Sequence, residues 1–292
     1  MLGGELTKVA SSTKKQVDQK FSVFGGTGFI GSRFCDLYPD LTEIVNRDAF
    51  KARTNSILYF ISTVDNYNVF TNPLIDIETN LIVLLKVLEE FKKTGGVFNF
   101  ISSWFVYGDT DLPAREDSVC FPKGFYSITK KAAEDLLVSY CKTFGLDYRI
   151  LRLSNVYGVG DQGVSKKKNA LQYLINNLKN NEAIDLYDGG DVIRDYLHID
   201  DVCRAIELIS TKGDLNTVFN VGSGKPHRIK DIVHVAYSEL NSKSEIHSIQ
   251  PPEFHRLVQV QNMYLDISKL KALGFQQEIT IEAGIRELCQ KI

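Results

Sequence analysis

The chain is poor in cysteine, with five in 292 residues, at positions 35, 120, 141, 203 and 289. The number is odd, and no pair has CxxC spacing or stands beside a His-rich run. A disulfide framework and a zinc site are both disfavoured, and a reducing, cytoplasmic setting is expected. An excess of either charge is also lacking. With 34 basic and 36 acidic residues, the net charge is −2, which gives no electrostatic footing for nucleic acid. The short basic run Lys166-Lys167-Lys168 reads either as a solvated segment or as one lying near a phosphorylated substrate. No apolar run reaches the ~18 residues of a membrane span, so no membrane partner is expected. Residues 1–20 are polar and Lys-rich, without an apolar stretch of signal-peptide length, and are expected to form a tail or a short capping segment. No internal repeat or low-complexity tract is present. What remains is ordinary for a globular protein, 43% apolar and 24% charged, and long enough for a sizeable core and two lobes.

Apolar, strand-like runs recur at 21–24, 43–46, 57–61, 97–102, 148–153 and 217–221. Helical patterns lie between several of them. From Thr79 to Lys92, apolar residues at 81, 82, 84, 85 and 88 share one helical face, and from Lys130 to Phe144 positions 133, 136, 137 and 140 do the same. This alternation predicts an α/β fold with a doubly wound parallel sheet that binds ligands at the carboxyl ends of its strands. The interval 43–61 is too short for a full helix between the second and third strands, so a loop or single turn is expected there. Gly189-Gly190 mark a turn, and Asp200-Asp201-Val202 reads as a helix start with Asp as its cap.

Two motifs carry chemistry. The first is Gly25-Gly26-Thr27-Gly28-Phe29-Ile30-Gly31, between the run Phe21-Ser22-Val23-Phe24 and the helix-like segment Ser32–Tyr38. Glycines at 25, 28 and 31 remove Cβ atoms where a strand turns into a helix. A pyrophosphate can then approach the backbone and the free N–H groups of the helix start. Tight turns use the same residues, so the flanking strand and helix are what give the motif weight. The second is Tyr126-Ser127-Ile128-Thr129-Lys130, with Ser102-Ser103 upstream in Phe100-Ile101-Ser102-Ser103-Trp104-Phe105-Val106-Tyr107-Gly108. Tyr126 and Lys130 share a helical face. A phenol titrates near ~10 and is a poor base at neutral pH; an ammonium one turn away is expected to lower that value. Ser103, at a strand end, can hydrogen-bond the same substrate oxygen. Alone, such a Tyr and Lys most often form a surface pair; behind a dinucleotide loop they point to proton transfer coupled to hydride transfer.

With these residues in this order, the chain resembles the extended short-chain dehydrogenase/reductase family, in its NAD-dependent epimerase/dehydratase branch that acts on nucleotide sugars. The match runs from about Phe21 to the C-terminus. Beyond the two motifs it includes Leu151-Arg152-Leu153-Ser154-Asn155-Val156-Tyr157-Gly158 and Arg194-Asp195-Tyr196-Leu197-His198-Ile199-Asp200-Asp201-Val202. It continues through Phe219-Asn220-Val221-Gly222-Ser223-Gly224 to Asp266-Ile267-Ser268-Lys269 and Leu273-Gly274-Phe275.

The resemblance implies a Rossmann-type dinucleotide-binding domain (1–156 plus 193–222) and a smaller, discontinuous substrate lobe (157–192 plus 223–292). It implies Ser103, Tyr126 and Lys130 as catalytic residues. NAD or NADP would be held by Gly25, Thr27, Gly28, Phe29, Ile30, Gly31, Asn46, Arg47, Ser62, Thr63, Asn80, Ser102, Tyr126, Lys130 and Leu153. A nucleotide-diphosphate sugar would be met by Asn72, Ser103, Trp104, Asn155, Arg194, Tyr196 and Arg256. Arg256 is placed by its spacing of ten to Asp266, but Phe254-His255-Arg256-Leu257 has lost the family's Arg-Pro-Gly-Asp. NAD-preferring relatives carry an acid at the end of the second strand, where this chain reads Ile44-Val45-Asn46-Arg47-Asp48. Arg47 either pairs with a 2′-phosphate, or stacks on adenine or faces water while Asp48 holds a ribose hydroxyl.

Departures from the family narrow the chemistry. Sugar 4,6-dehydratases carry Thr-Asp-Glu where this chain has Ser103-Trp104-Phe105, and neither Trp nor Phe supplies an acid or base for water elimination. The fucose-synthase group has a catalytic His where Gly160 stands here. Oxidation or reduction at one sugar carbon, C4, is what remains. It would belong to an epimerase that oxidises and re-reduces with bound cofactor, or to a 4-keto reductase using free NADPH. The frequency of epimerases in the family favours the first; Arg47, with no acid at position 46, favours the second. A non-catalytic nucleotide-binding scaffold or redox sensor is a further reading, opposed by Ser103, Tyr126 and Lys130. Relatives commonly dimerise through the helices near 79–92 and 130–144, so a homodimer is expected, although the same apolar faces also suit packing on the sheet.

Overall fold

The computed structural model describes residues 20–64, 66–161 and 170–292. Residues 1–19 and Lys166-Lys167-Lys168 therefore lie outside the described residues. All six expected strand runs form one parallel sheet: β1 (Phe21–Phe24), β2 (Thr42–Val45), β3 (Ser56–Tyr59), β4 (Val97–Ser103), β5 (Asp147–Leu153) and β6 (Thr217–Val221). Their order across the sheet is β6-β5-β4-β3-β1-β2. The chain leaves β1 outward to β2 and then crosses back to β3 on the other side of β1. The end of β1 is thus the topological switch point, where an open α/β sheet has its ligand crevice. The connection from β2 to β3 is a loop, as its length required.

Alternation along the strands sends side chains to two layers. Phe21 and Val23 of β1, Leu58 of β3, Ile101 of β4 and Leu151 of β5 join one apolar cluster with α1 (Phe29–Leu37) and a helix over Ile199–Lys212. Phe24, Ile57, Tyr59, Phe98, Phe100 and Ile150 point the other way. They meet Leu84, Val87, Leu88 and Phe91 of α2 (Val83–Phe91) and Ala133, Leu137 and Cys141 of α3 (Phe125–Phe144). The two apolar faces expected from sequence are therefore largely spent on the sheet. α2 is preceded by a turn of α-helix, Leu74–Ile77, and a π-helical segment, Glu78–Ile82. A third cluster gathers Tyr157, Leu171, Ile175, Ile184, Leu186, Tyr196, Ile232, Val233, Ile285 and Leu288 away from the sheet. Residues Val260 to Phe275, expected with that lobe, contribute Val260, Met263, Leu265, Ile267, Leu270 and Phe275 to the first sheet cluster instead.

Near residue 200 the structure differs from expectation. The helix begins at Ile199, and its cap is His198, whose Nδ1 accepts the Asp200 N–H. The two aspartates are used elsewhere. Asp200 pairs with Arg33 of α1 at 2.6 Å, and Asp201 accepts the N–H groups of Glu278 and Ile279. Among the described residues, no helix is long and apolar enough to cross a membrane.

Candidate active site

A single cleft of about 960 Å³ runs from the β1–α1 turn across the ends of β3, β4 and β5 to the segments 185–196 and 252–259. Its near end is built by glycines. Gly25 has φ +82°, a left-handed conformation, and the Gly28 N–H closes back on its carbonyl at 3.1 Å. A Cβ on Gly31 would stand 2.3 Å from that same carbonyl oxygen, so only glycine lets α1 start here. Gly28 caps α1 without any side-chain bond. The first N–H groups of α1 therefore face the cleft, as an anion site requires.

The proton-transfer corner sits beside it. β4 ends at Ser103, and α3 is capped by Gly124, whose N–H donates to Ser127 Oγ at 2.9 Å. Asn66 crosses this helix start, its Oδ1 accepting the Tyr126 N–H at 3.1 Å. A Cβ at position 124 would lie 2.1 Å from that oxygen, so glycine is again required. Tyr126 and Lys130 are both buried yet line the cleft with Ser103. The Tyr126 ring packs edge-on against Phe105 at 6.0 Å. Burial holds its phenol above its ordinary pKa, partly offset by hydrogen bonds with Ser103 and Ser62 and reinforced by the charge of Asp76. Burial pushes the Lys130 ammonium down to about 7, against a raising influence from Glu134. Its Nζ lies 4.4 Å from the Phe100 ring centroid. The expected lowering of Tyr126 by Lys130 is thus reversed in the folded chain, because desolvation penalises both charged forms.

Buried polar residues behind this corner brace it. Glu134, one turn beyond Lys130, is 2% exposed and accepts Ser102 Oγ at 2.5 Å and the Arg152 guanidinium at 3.0 and 2.7 Å. Arg152 in turn covers the Tyr107 ring at 4.6 Å. This closed pair fixes β4, β5 and α3 against one another. Asn80, in the π-helical segment, accepts the Thr63 N–H and Ser62 Oγ and donates to Thr63 Oγ1 and Thr129 Oγ1. It ties the end of β3 to α3 and leaves no donor for a ligand.

At the far end Arg194 is 8% exposed. It donates to the carbonyls of Ile193, Gln261 and Val260, each at 2.8 Å, and its guanidinium lies 5.3 Å from the Trp104 ring. Among the described residues no carboxylate pairs with it. Burial pushes it down to about 10, which makes it a cation poised for an anion. The neighbouring Asp195 is occupied otherwise, accepting from Ser223 N–H and Oγ, Gly224 N–H and Leu265 N–H. His255 also lines the cleft, packed against Tyr187 at 4.8 Å.

Sixteen of the residues expected at the site line this cleft: Gly25, Gly28, Phe29, Ile30, Gly31, Ser62, Thr63, Ser102, Ser103, Trp104, Tyr126, Lys130, Leu153, Asn155, Arg194 and Tyr196. The structure places the others off its wall. Thr27, Asn46, Arg47, Asn72 and Arg256 are exposed, and Asn80 is buried behind the wall. Arg256 shares a short helix, Glu253–Val258, with His255, and it is the histidine that faces the cleft. Of the residues that sequence reasoning missed, Glu134 alone left a signal: an acid in register with Lys130 on the buried face of a helix.

Residues 38–222 match the family model "NAD dependent epimerase/dehydratase family", and the chain belongs to that family. It is similar to a putative UDP-glucose 4-epimerase of Methanocaldococcus jannaschii, at 26% identity over 91% of this chain and 96% of that protein. It is 29% identical to a trifunctional UDP-glucose 4,6-dehydratase/UDP-4-keto-6-deoxy-D-glucose 3,5-epimerase/UDP-4-keto-L-rhamnose-reductase of Arabidopsis thaliana over 84% of this chain, and spans 37% of that protein's length. Its fold matches a crystal structure of the UDP-glucose 4-epimerase of Thermotoga maritima with UDP-glucose (TM-score 0.83, 23% identity, 93% of this chain and 97% of that one). The family is named for its dependence on NAD. The glycine cradle fits such a cofactor, since Gly28 leaves room beside the uncapped helix start.

Proposed function

We propose that this protein carries out NAD(P)-dependent oxidoreduction at C4 of a nucleotide-diphosphate sugar, as an epimerase. The observation that carries this reading is one cleft joining the glycine loop, the Ser103–Tyr126–Lys130 corner and the unpaired cation of Arg194. A bound NAD or NADP would supply the hydride acceptor or donor. Tyr126 exchanges the proton of the C4 oxygen, Ser103 orients that oxygen, and Lys130 holds the nicotinamide ribose. Arg194 meets the diphosphate, with Asn155 and Tyr196 beside the sugar. The buried Trp104 and the half-buried Phe105 exclude water from the reacting carbon. The sugar would lie between a cofactor domain and a lobe built from 157–192 and much of 223–292.

A 4-keto reductase is the second reading, favoured by Arg47, which stands exposed just after β2 with Asn46 in place of an acid. Such an enzyme releases NADP each turnover and gains from reading its 2′-phosphate, whereas an epimerase regenerates NAD in place. Purification followed by identification of the bound nucleotide, then assay against UDP-, dTDP- and GDP-sugars, separates them. Stoichiometric NAD with C4 interconversion supports the epimerase. Net NADPH consumption, weakened in Arg47→Ala, supports the reductase. A cofactor-loaded protein inert across the panel contradicts both.

A homodimer is part of the proposal. Leu74, Ile75 and Ile82 before α2, and Ile128, Leu136 and Phe144 of α3, remain exposed after the sheet is covered. Light scattering that shows only monomer at micromolar concentration contradicts it. The five free cysteines, four of them buried, suit the reducing cytoplasm proposed for it.

A further inference from the structure

The short helix Glu253–Val258 borders the cleft, and ring contacts fix how it is turned. On one side Phe254 meets Tyr67 and Phe70 edge-on, at 5.2 and 4.5 Å, both from the turn Asn66–Phe70. On the other, the His255 ring packs against Tyr187 at 4.8 Å, at the end of the strand Ile184–Tyr187. Tyr67, Tyr187 and His255 line the cleft, while Arg256 and Leu257 are exposed away from it. The same stretch of chain holds Arg194. The Gln259 N–H closes the helix on the His255 carbonyl at 2.9 Å, and the next two carbonyls, of Val260 and Gln261, each accept from the Arg194 guanidinium at 2.8 Å. One continuous piece of backbone thus sets His255 and Arg194 in the cleft together. Unlike His198 and His247, His255 makes no ion pair among the described residues.

We infer that His255 shares the diphosphate with Arg194, and that it takes up a proton as the ligand binds. The inference rests on the substrate class proposed above, a nucleotide-diphosphate sugar. A half-buried imidazole near a fixed cation stays uncharged near pH 7. Burial and Arg194 hold His255 below its ordinary pKa, against a raising influence from Asp188. An uncharged ring keeps one N–H and turns a lone pair toward any anion on its other side. A diphosphate brings negative charge into the same space and reverses the balance, so a proton from solvent makes both ring nitrogens donors. The ligand's diphosphate is a diester and has no proton to give at this pH. Other charged groups around the ring stand in solvent: Glu253 and Arg256 on its own helix, and Asp185 and Asp188 on and after the strand of Tyr187, are exposed. The turn Asn66–Phe70 carries no charged residue.

Calorimetry on the protein as purified tests this with the β-methyl esters of UDP, dTDP and GDP. These keep the diphosphate as a diester that does not titrate near neutral pH, and they offer no sugar to turn over. Binding is measured at pH 7.5 in buffers of different ionisation enthalpy, and the slope of observed heat against that enthalpy counts the protons taken up. Wild type should take up about half a proton or more per site, and its affinity should fall about three- to tenfold from pH 6.5 to pH 8. His255→Gln should take up none and lose most of that pH dependence. His255→Arg, already charged, should bind tightly without uptake. Wild-type binding with no proton uptake overturns the inference, as does uptake that persists in whichever variant folds. A histidine that only packs on Tyr187 would change affinity and melting temperature and leave the proton count alone. Failure of all three esters to bind contradicts the proposed substrate class itself, and the inference falls with it.

Discussion

The two ends of the cleft are built differently. The proton-transfer end is made of strand termini and one helix start, where Ser103, Tyr126 and Lys130 are set by the ladder of β4 and the turn of α3. The far end is made of separated short segments, 185–196 and 252–261, held by backbone carbonyls around Arg194. Position in the sequence converts directly into position in space at the first end. At the second it does not, because the short helix Glu253–Val258 turns His255 inward and Arg256 outward. Regular elements fix side-chain direction through their period; a single turn of helix takes its direction from what it packs on.

The largest effect should come from the regular end. Tyr126→Phe is expected to lower kcat by about 10²–10⁴ with cofactor affinity little changed, since it deletes a positioned proton donor. Near-normal turnover would take Tyr126 out of the mechanism and dissolve the contrast. At the far end, Arg194→Met should weaken nucleoside-diphosphate binding by roughly 10–10²-fold in calorimetry, the worth of about 1.5–3 kcal/mol for a charged hydrogen bond. Arg256→Ala should change it by less than about twofold, as expected of an exposed charge. Equal losses in the two variants would mean that Arg256 swings in and that the far end is not fixed by its packing.

Gly124→Ala probes how tightly the near end is assembled. The added methyl meets Asn66 Oδ1 and should cost about 1–3 kcal/mol of stability, read as a lowered melting temperature. Asn66→Ala in the same chain should recover part of that loss. A pH-dependent effect concerns Lys130. Its folded pKa, about 7, lies below the unfolded value of ~10.4, so the folded chain binds fewer protons between those limits. The resulting penalty is complete below pH 7 and fades as pH rises toward ~10. Lys130→Met lacks it, so its melting-temperature advantage over wild type should shrink from pH 6 to pH 9. A constant gap would place Lys130 in a more solvated setting than its burial indicates.

Much of this was legible in the chain. Apolar runs marked the six sheet strands within a residue or two, because a parallel strand is buried on both faces and reads as a continuous apolar run. Gly31 of the β1–α1 turn announced itself because no other residue fits with a carbonyl 2.3 Å away, and Gly25 because its φ of +82° favours glycine. Tyr126 and Lys130 were found because one helical turn puts them on one face. Asn80 was expected at the cofactor and instead bridges Thr63 and Thr129, since spacing shows which face a residue takes but not what stands opposite.

The sequence by itself determined the sheet, the glycine cradle and the Ser–Tyr–Lys set, all of which depend on interactions within a few residues or on periodic burial. Only the tertiary structure decided the protonation balance of Tyr126 and Lys130, the buried Glu134–Arg152 pair behind them, and the choice of His255 over Arg256. Each of these depends on desolvation and on neighbours tens of residues away in the chain, and neither is a property of a residue read in its own place.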